Sequence, residues 1–107
     1  MNQFQYKPIW VYIVRCSDGS YYTGSYRGED LDVRIGEHNE GVYPKAYTYK
    51  RRPVQLVWSE LFQRADDAIE SERGIKGWSR RKKEALINGD FDLLPMLSKR
   101  GPADKSI

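Results

Sequence analysis

"WVYIVRCSDGSYYTG" (residues 10–24) reads as two short strands around a tight turn, and the rest of the chain is arranged about it. Trp10 to Val14 is apolar on both parities, the pattern of a strand covered on both faces. Ser17, Asp18 and Gly19 supply the turn chemistry. A tyrosine inside the oily strand, Tyr12, obliges the fold to find its hydroxyl a partner, a cost phenylalanine would not carry. Two turns fit these residues. If the loop is Asp18-Gly19, Cys16 opposes Tyr21, and Tyr12 and Tyr22 lie on opposite faces. If it is Ser17-Asp18-Gly19, with Gly19 in the left-handed position of a bulge, Cys16 opposes Ser20 and Val14 opposes Tyr22. The two phenols then lie diagonally on one face. A site using both requires the second turn.

Outward from the hairpin, strands are expected over about 9–16 and 20–26. "RGEDLDVRIGEHNEG" (27–41) follows as a helix, with Asp30 as N-cap, Leu31, Ile35 and His38 at helical spacing, and Gly41 as the stop. A loop over 42–53 leads to a third strand, "VQLVWSELF" (54–62), again apolar on both parities and expected to be covered on both faces. "ADDAIESERGIKGW" (65–78) makes a second helix, and Ser79 caps a third, "RRKKEALI" (80–87), ended by "NGD". The order strand, strand, helix, strand, helix, helix points to an α+β fold, three short antiparallel strands flanked by helices. The first strand is then central. The expectation is one domain over 1–98, with 99–107 a disordered tail.

A chain of 107 residues with 39% hydrophobic and 31% charged residues builds one modest core rather than two. No apolar run approaches the roughly 18 residues a membrane span needs, so no membrane partner is expected. "MNQFQYKP" lacks the order of a signal peptide, which makes the cytoplasm the expected compartment. One cysteine and one histidine exclude an intrachain disulfide and a tetrahedral zinc site built from those residue types. The formal charge of +3 matters less than its distribution. Cations concentrate at 50–52 and 80–83, with carboxylates between, which suits a phosphate-binding side as well as two solvated faces.

Three features stand apart from packing. Tyr12 and Tyr22 are the first. Glu72 is the second: it falls inside the apolar stripe of Ala65, Ala68, Ile69 and Ile75, where a carboxylate is costly unless bound to a cation or paired, as with Lys76 at i+4. Arg34 and His38, four apart on one helix face, are the third; alone they read as a solvated face with a histidine near the helix end. Together, two phenols, a guanidinium, an imidazole and a carboxylate are parts for hydrolysing a phosphodiester around one divalent ion. One carboxylate suits magnesium, which keeps most of its waters, and arginine offers a fork to phosphorane charge.

These residues, in order, resemble the GIY-YIG nuclease superfamily: "VYIVRCSDGSYYTG", then "RIGEH", "RRPVQLVWSE" and "ERGIK", over about 9–88. The resemblance is greatest to its small stand-alone bacterial members, and extends to the nuclease domain of the excision-repair C subunit. It implies a Mg2+- or Mn2+-dependent endonuclease acting on nucleic acid, DNA rather than RNA, with low sequence specificity. Carried across, Tyr12 serves as general base or holds the attacking water, and Tyr22 positions water or phosphate. Gly24 allows close backbone approach, Arg34 stabilises the pentacoordinate charge, His38 assists proton transfer or contacts the phosphate, and Glu72 is the metal ligand. Trp10-Val11 replaces the first motif's glycine and isoleucine, and Thr23 the second motif's isoleucine; the chemical residues are intact. A phenolate near pH 7 asks for a fall of roughly three pH units, about 4 kcal/mol, from the metal and Arg34, unless Tyr12 only relays a proton.

The loop interleaves Tyr43, Tyr47 and Tyr49 with Lys45, Lys50, Arg51 and Arg52, which reads as base stacking plus phosphate contact or as a surface loop pinned by aromatics. Lys76, Arg80 and Arg81 are further nucleic-acid candidates; four cations opening the third helix oppose its dipole, and a bound phosphate relieves that. Tyr21, Trp58 and Trp78 read as packing, and Cys16 as an inert half-buried thiol. The alternative function is a catalytically weak nucleic-acid-binding module of the same fold, acting with a protein partner or as a weak homodimer.

Overall fold

The computed structural model describes residues 8–98; the expected tail at 99–107 lies outside them. The elements are β1 (Ile9–Arg15), β2 (Tyr21–Arg27), α1 (Leu31–Glu40), a 3-10 turn (Tyr49–Arg51), β3 (Gln55–Phe62), α2 (Ala65–Lys76), α3 (Arg80–Asn88) and α4 (Leu93–Ser98). They fall into two compact units, one ending at Lys76 and the other beginning at Gly77.

The first unit holds the antiparallel sheet, ordered β2-β1-β3, so β1 is central as its double-sided hydrophobicity demands. The hairpin takes the three-residue turn. Val14 pairs with Tyr22 and Tyr12 with Gly24. The Cys16 amide donates to the Ser20 carbonyl at 2.8 Å, and Gly19 sits at φ +85°, a conformation few other residues accept. Tyr12 and Tyr22 therefore share a face.

That face builds a core of Tyr12, Val14, Cys16, Leu31 and Val54, with Trp10, Tyr22, Tyr26, Ile35 and Leu56 packed against it. Burying Cys16 pushes its thiol pKa up, as an inert residue requires. The other parity of β1, Ile9, Val11 and Ile13, is buried as well. α1 begins where Asp30 accepts from the Asp32 amide at 3.0 Å and ends at Gly41 in the left-handed region.

Two expectations about burial are corrected. β3 is not covered on both faces: it is an edge strand, half-buried, with Leu61 exposed. Its apolar run reflects partial cover on two sides rather than full cover. On α2, which packs against β1 and β2, Ala68 and Ile75 are buried but Ala65 and Ile69 face solvent, Ile69 being 50% exposed. The inward line is narrower than the stripe read from spacing, because a helix lying on a sheet presents little more than one row at each turn. α2 also stops at Lys76, two residues short of the expected end.

In the second unit Ser79 caps α3 by accepting from the Lys82 amide at 3.1 Å, and Gly89 ends it. α4 was not expected from the sequence. Its six residues place Pro95 in the first turn, where a missing amide costs no hydrogen bond.

Candidate active site

Tyr12 is 1% exposed, and its hydroxyl meets His38 Nε2 at 3.0 Å. The other ring nitrogen of His38, Nδ1, meets Thr48 Oγ1 at 2.9 Å. His38 is 4% exposed and Thr48 1%, so three polar groups from β1, α1 and the loop form one chain inside the unit. A neutral imidazole has one donor and one acceptor nitrogen, so the chain admits two proton arrangements. Either the phenol donates to Nε2 and Nδ1 donates to Thr48, or both bonds are reversed.

Local sequence puts each group there. Four-residue spacing on α1 turns His38 to the side that carries Arg34 and, beyond it, the helix start in the core at Leu31. Gly24, facing Tyr12 across the ladder, leaves room for the phenol. A Cβ at 24 would stand 2.7 Å from Tyr12 Oη and 2.9 Å from Tyr22 Cε2. Tyr22 walls the site, its ring centroid 6.5 Å from that of Tyr12 and 5.7 Å from that of His38. Tyr47 stacks on its other side at 6.1 Å.

The protein's own groups do not lower the Tyr12 pKa; burial, and then Tyr22, push it up, Glu72 adds to the rise, and Arg34 opposes them. Desolvating a phenolate outweighs one neighbouring guanidinium. His38 is held below its usual range, first by burial and then by Arg34, against a smaller opposing pull from Glu37. The resting pair is a neutral phenol and a neutral imidazole.

Arg34 is gripped loosely. Its Nη1 donates to the Ser25 carbonyl at 3.4 Å, Nε stands 3.4 Å from Glu37 Oε1 in an ion pair, and the guanidinium faces the rings of Tyr26 and Tyr43 at 4.8 and 5.3 Å. The Nε–Glu37 contact has charge proximity without hydrogen-bond alignment, so the Nε proton is buried without an acceptor. Tyr43 donates to Glu37 and completes this surround. The guanidinium also bonds toward the Tyr12 hydroxyl, so Nε is its one buried donor left without an acceptor.

Glu72 combines the two readings open at the sequence level. It is on the inward side of α2, its side chain 21% exposed, near enough for its charge to act on Tyr12, and it pairs with Lys76 at 3.1 Å. Among the described residues no group of three or more His, Cys, Asp or Glu could cage a metal. A single, partly exposed carboxylate is nevertheless the donor set a hydrated magnesium ion uses, with water and substrate phosphate filling its shell. The residues present fit such an ion.

The loop candidates divide. Lys45 and Lys50 are exposed. Arg51 pairs with Asp18 at 3.1 Å, donates to the Tyr47 carbonyl at 2.8 Å and covers the Tyr47 ring at 3.8 Å. Arg52 donates to the Tyr49 carbonyl at 2.8 Å and lies over the Tyr49 ring at 4.5 Å. In the second unit Arg80 pairs with Glu84 at 3.0 Å, Arg81 is exposed, and Lys82 covers Trp78 at 4.0 Å. Thr48 and Glu37 escaped the sequence reading, and Tyr43, read as a loop aromatic, proves to be a partner of Glu37 and Arg34. Glu37 was legible as Arg34's neighbour at i+3; a threonine in a polar loop carries no such signal.

These side chains and this sheet define a small α+β domain with phenol, guanidinium and carboxylate groups gathered on β1, β2, α1 and α2. The chain belongs to the GIY-YIG family, a family of nucleases: the model of the GIY-YIG catalytic domain matches residues 8–85. It is 48% identical over 79 residues to a UPF0213 protein of Staphylococcus saprophyticus, covering 74% of this chain and 93% of that one. A UPF0213 protein of Staphylococcus aureus is 46% identical, covering 73% and 92%. The solution NMR structure of a protein from E. faecalis, 29% identical, matches with a TM-score of 0.52 over 85% of this chain and 92% of that one. Among the described residues no helix is long and apolar enough to cross a membrane.

Proposed function

We propose that this protein is a divalent-metal-dependent endonuclease that hydrolyses phosphodiester bonds in DNA with low sequence specificity. The observation that carries the reading is the buried Tyr12–His38 hydrogen bond beside the Arg34 guanidinium. A structural phenol needs a partner, but not a neutral imidazole on one side and a guanidinium on the other. The two compact units are taken to work as one domain over 1–98, since the family match crosses their boundary.

Glu72 is the residue that would hold the ion, Mg2+ or Mn2+. When bound, the ion supplies positive charge to the phosphate and its attacking water. Arg34 binds non-bridging oxygens and stabilises charge as it develops on them. The water oxygen bonds to phosphorus, its proton moves to Tyr12 Oη, and the phenol proton moves to His38. The P–O bond to the leaving group breaks, and that oxygen takes a proton from solvent. This relay needs no resting phenolate, which burial disfavours. The incoming phosphate's negative charge favours imidazolium during transfer. Tyr22 and Tyr47 shield the reacting side from water, and Lys45, Lys50, Arg51, Arg52, Lys76, Arg80 and Arg81 are candidates for the DNA backbone, with Gly24 at the floor.

The Glu72–Lys76 ion pair favours a second reading, a nucleic-acid-binding module whose carboxylate is already neutralised. One experiment separates them: cleavage of single-stranded, branched and duplex DNA, and of RNA, with magnesium or manganese, by wild type, Glu72→Ala and Tyr12→Phe, each checked for folding. Metal-dependent DNA cleavage lost in both variants supports the nuclease. Binding without cleavage, equal in all three proteins and unaffected by chelator, refutes it in favour of the module.

A further inference from the structure

The loop between α1 and β3 is braced far beyond what a surface connection needs. The Ser17 amide donates to the Arg51 carbonyl at 2.8 Å, tying the hairpin turn to the 3-10 turn, and Arg51 Nε reaches Asp18 at 3.1 Å. The Arg51 amide donates to the Thr48 carbonyl at 2.9 Å. At the loop's far end the Asn39 side chain both donates to the Val54 carbonyl and accepts from the Val54 amide, at 3.0 and 2.6 Å. What these contacts hold still, deep inside, is Thr48, 1% exposed and within 2.9 Å of His38 Nδ1.

We propose that Thr48 is a positioning residue whose hydroxyl accepts the Nδ1 proton of His38, leaving Nε2 bare toward the Tyr12 hydroxyl. The choice between the two proton arrangements follows from counting donors. The phenol proton of Tyr12, a residue 1% exposed, needs an acceptor within the protein in the resting state. Arg34, its cationic neighbour, only donates. Among the described residues His38 Nε2 is the acceptor at hydrogen-bond distance. If Nε2 carried the proton instead, the phenol would be left with two donors aimed at it and nowhere for its own. Nδ1 must therefore be the protonated nitrogen, and Thr48 Oγ1, which can accept as well as donate, receives it. The ring lies edge-on among Tyr12, Tyr22 and Tyr43, with centroids 6.1, 5.7 and 5.5 Å away. The loop's arginines thus act through Thr48 as well as on any ligand.

The catalytic consequence rests on the nuclease reading; the tautomer does not, and one histidine in the chain makes it directly readable. Nitrogen-15 NMR of the His38 imidazole at pH 7.5 is expected to show Nδ1 protonated and Nε2 bare in wild type and in Thr48→Ser, which keeps the hydroxyl. Thr48→Val removes the acceptor at nearly constant shape and is expected to shift the ring toward the Nε2-protonated form. With magnesium and a DNA substrate, Thr48→Val should lower kcat on the order of 10- to 100-fold with KM little changed, and Thr48→Ser should restore it. An Nε2-protonated wild type, or a Thr48→Val spectrum like wild type's, overturns the assignment. Full kcat in a folded Thr48→Val overturns the positioning role. If Thr48→Val does not fold, the wild-type spectrum still decides. A wild type that cleaves nothing refutes the nuclease reading while the tautomer continues to test Thr48.

Discussion

Replacing Gly24 by alanine tests the central packing claim of the site, that the phenol of Tyr12 occupies the space a side chain on β2 would need. The added Cβ would lie 2.7 Å from Tyr12 Oη, 2.8 Å from its Cζ and 2.9 Å from Tyr22 Cε2. Favourable heavy-atom contacts begin near 3.5 Å, so all three are at least about half an ångström too close. Tyr12 has little room to yield, being 1% exposed and tied to His38 at 3.0 Å. Overpacking of this kind costs about 1–3 kcal/mol. With a urea m value of about 1–2 kcal/mol/M for a chain this size, the unfolding midpoint should fall by roughly 1 M. Moving the phenol also loosens its bond to His38, and a misplacement near 1 Å costs about a hundredfold in rate. Unfolding is followed by tryptophan fluorescence, and turnover by metal-dependent cleavage. Gly74→Ala is the control: its Cβ meets nothing within 4 Å in an exposed stretch of α2, and it should stabilise by about 1 kcal/mol. A Gly24→Ala protein as stable and as active as wild type would refute the reasoning, because the phenol could not then be where the clash is.

Three further outcomes follow from the same geometry. His38 has a folded pKa below its unfolded value, so the unfolded chain binds more protons as pH falls. Stability present above about 6.5 is therefore lost as pH drops through that value toward the lower folded pKa, and cleavage falls on the same acid side as the imidazole becomes unable to accept a proton; urea melts and rates from pH 8 to pH 5 check both, and flat profiles in both would count against a buried neutral histidine. Asn39→Ala removes both hydrogen bonds to Val54 and should cost about 1–3 kcal/mol, read from the urea midpoint. Charge reversal at Arg80 and Arg81 should weaken DNA binding and flatten its salt dependence, measured by fluorescence anisotropy at several salt concentrations; unchanged affinity and slope would remove this helix start from the interface.

Much of the fold is legible in local chemistry. Asp30 and Gly41 bracket α1 and Ser79 and Gly89 bracket α3, because caps answer to unpaired backbone groups within one turn and need no tertiary partner. The double-sided hydrophobicity of Val11 to Val14 agrees with the central place of β1, although the same pattern in β3 belongs to an edge strand. Tyr12 and Glu72 stood out as residue types out of keeping with their apolar patterns, and Tyr22, Arg34 and His38 gained meaning only together with them. Burial at the margins was less legible: Ile69 and Leu61 are apolar yet exposed, since hydrophobic character states a preference and only packing neighbours satisfy it.

Tertiary structure alone decided four things. Two hairpin turns suited residues 16–20, and only the pairing of Val14 with Tyr22 put both phenols on one face. Glu72 was open between a cation and Lys76, and the fold holds it by Lys76 while keeping its charge within reach of Tyr12. The direction of the Tyr12 pKa could not be read from residue types, because desolvation depends on what surrounds the hydroxyl rather than on what it is bonded to in sequence. Thr48 is the clearest instance: ten residues from His38 along a polar loop, it becomes that histidine's buried partner only when the chain closes, since hydrogen bonds between distant segments are a property of the closed fold and leave no period in the sequence.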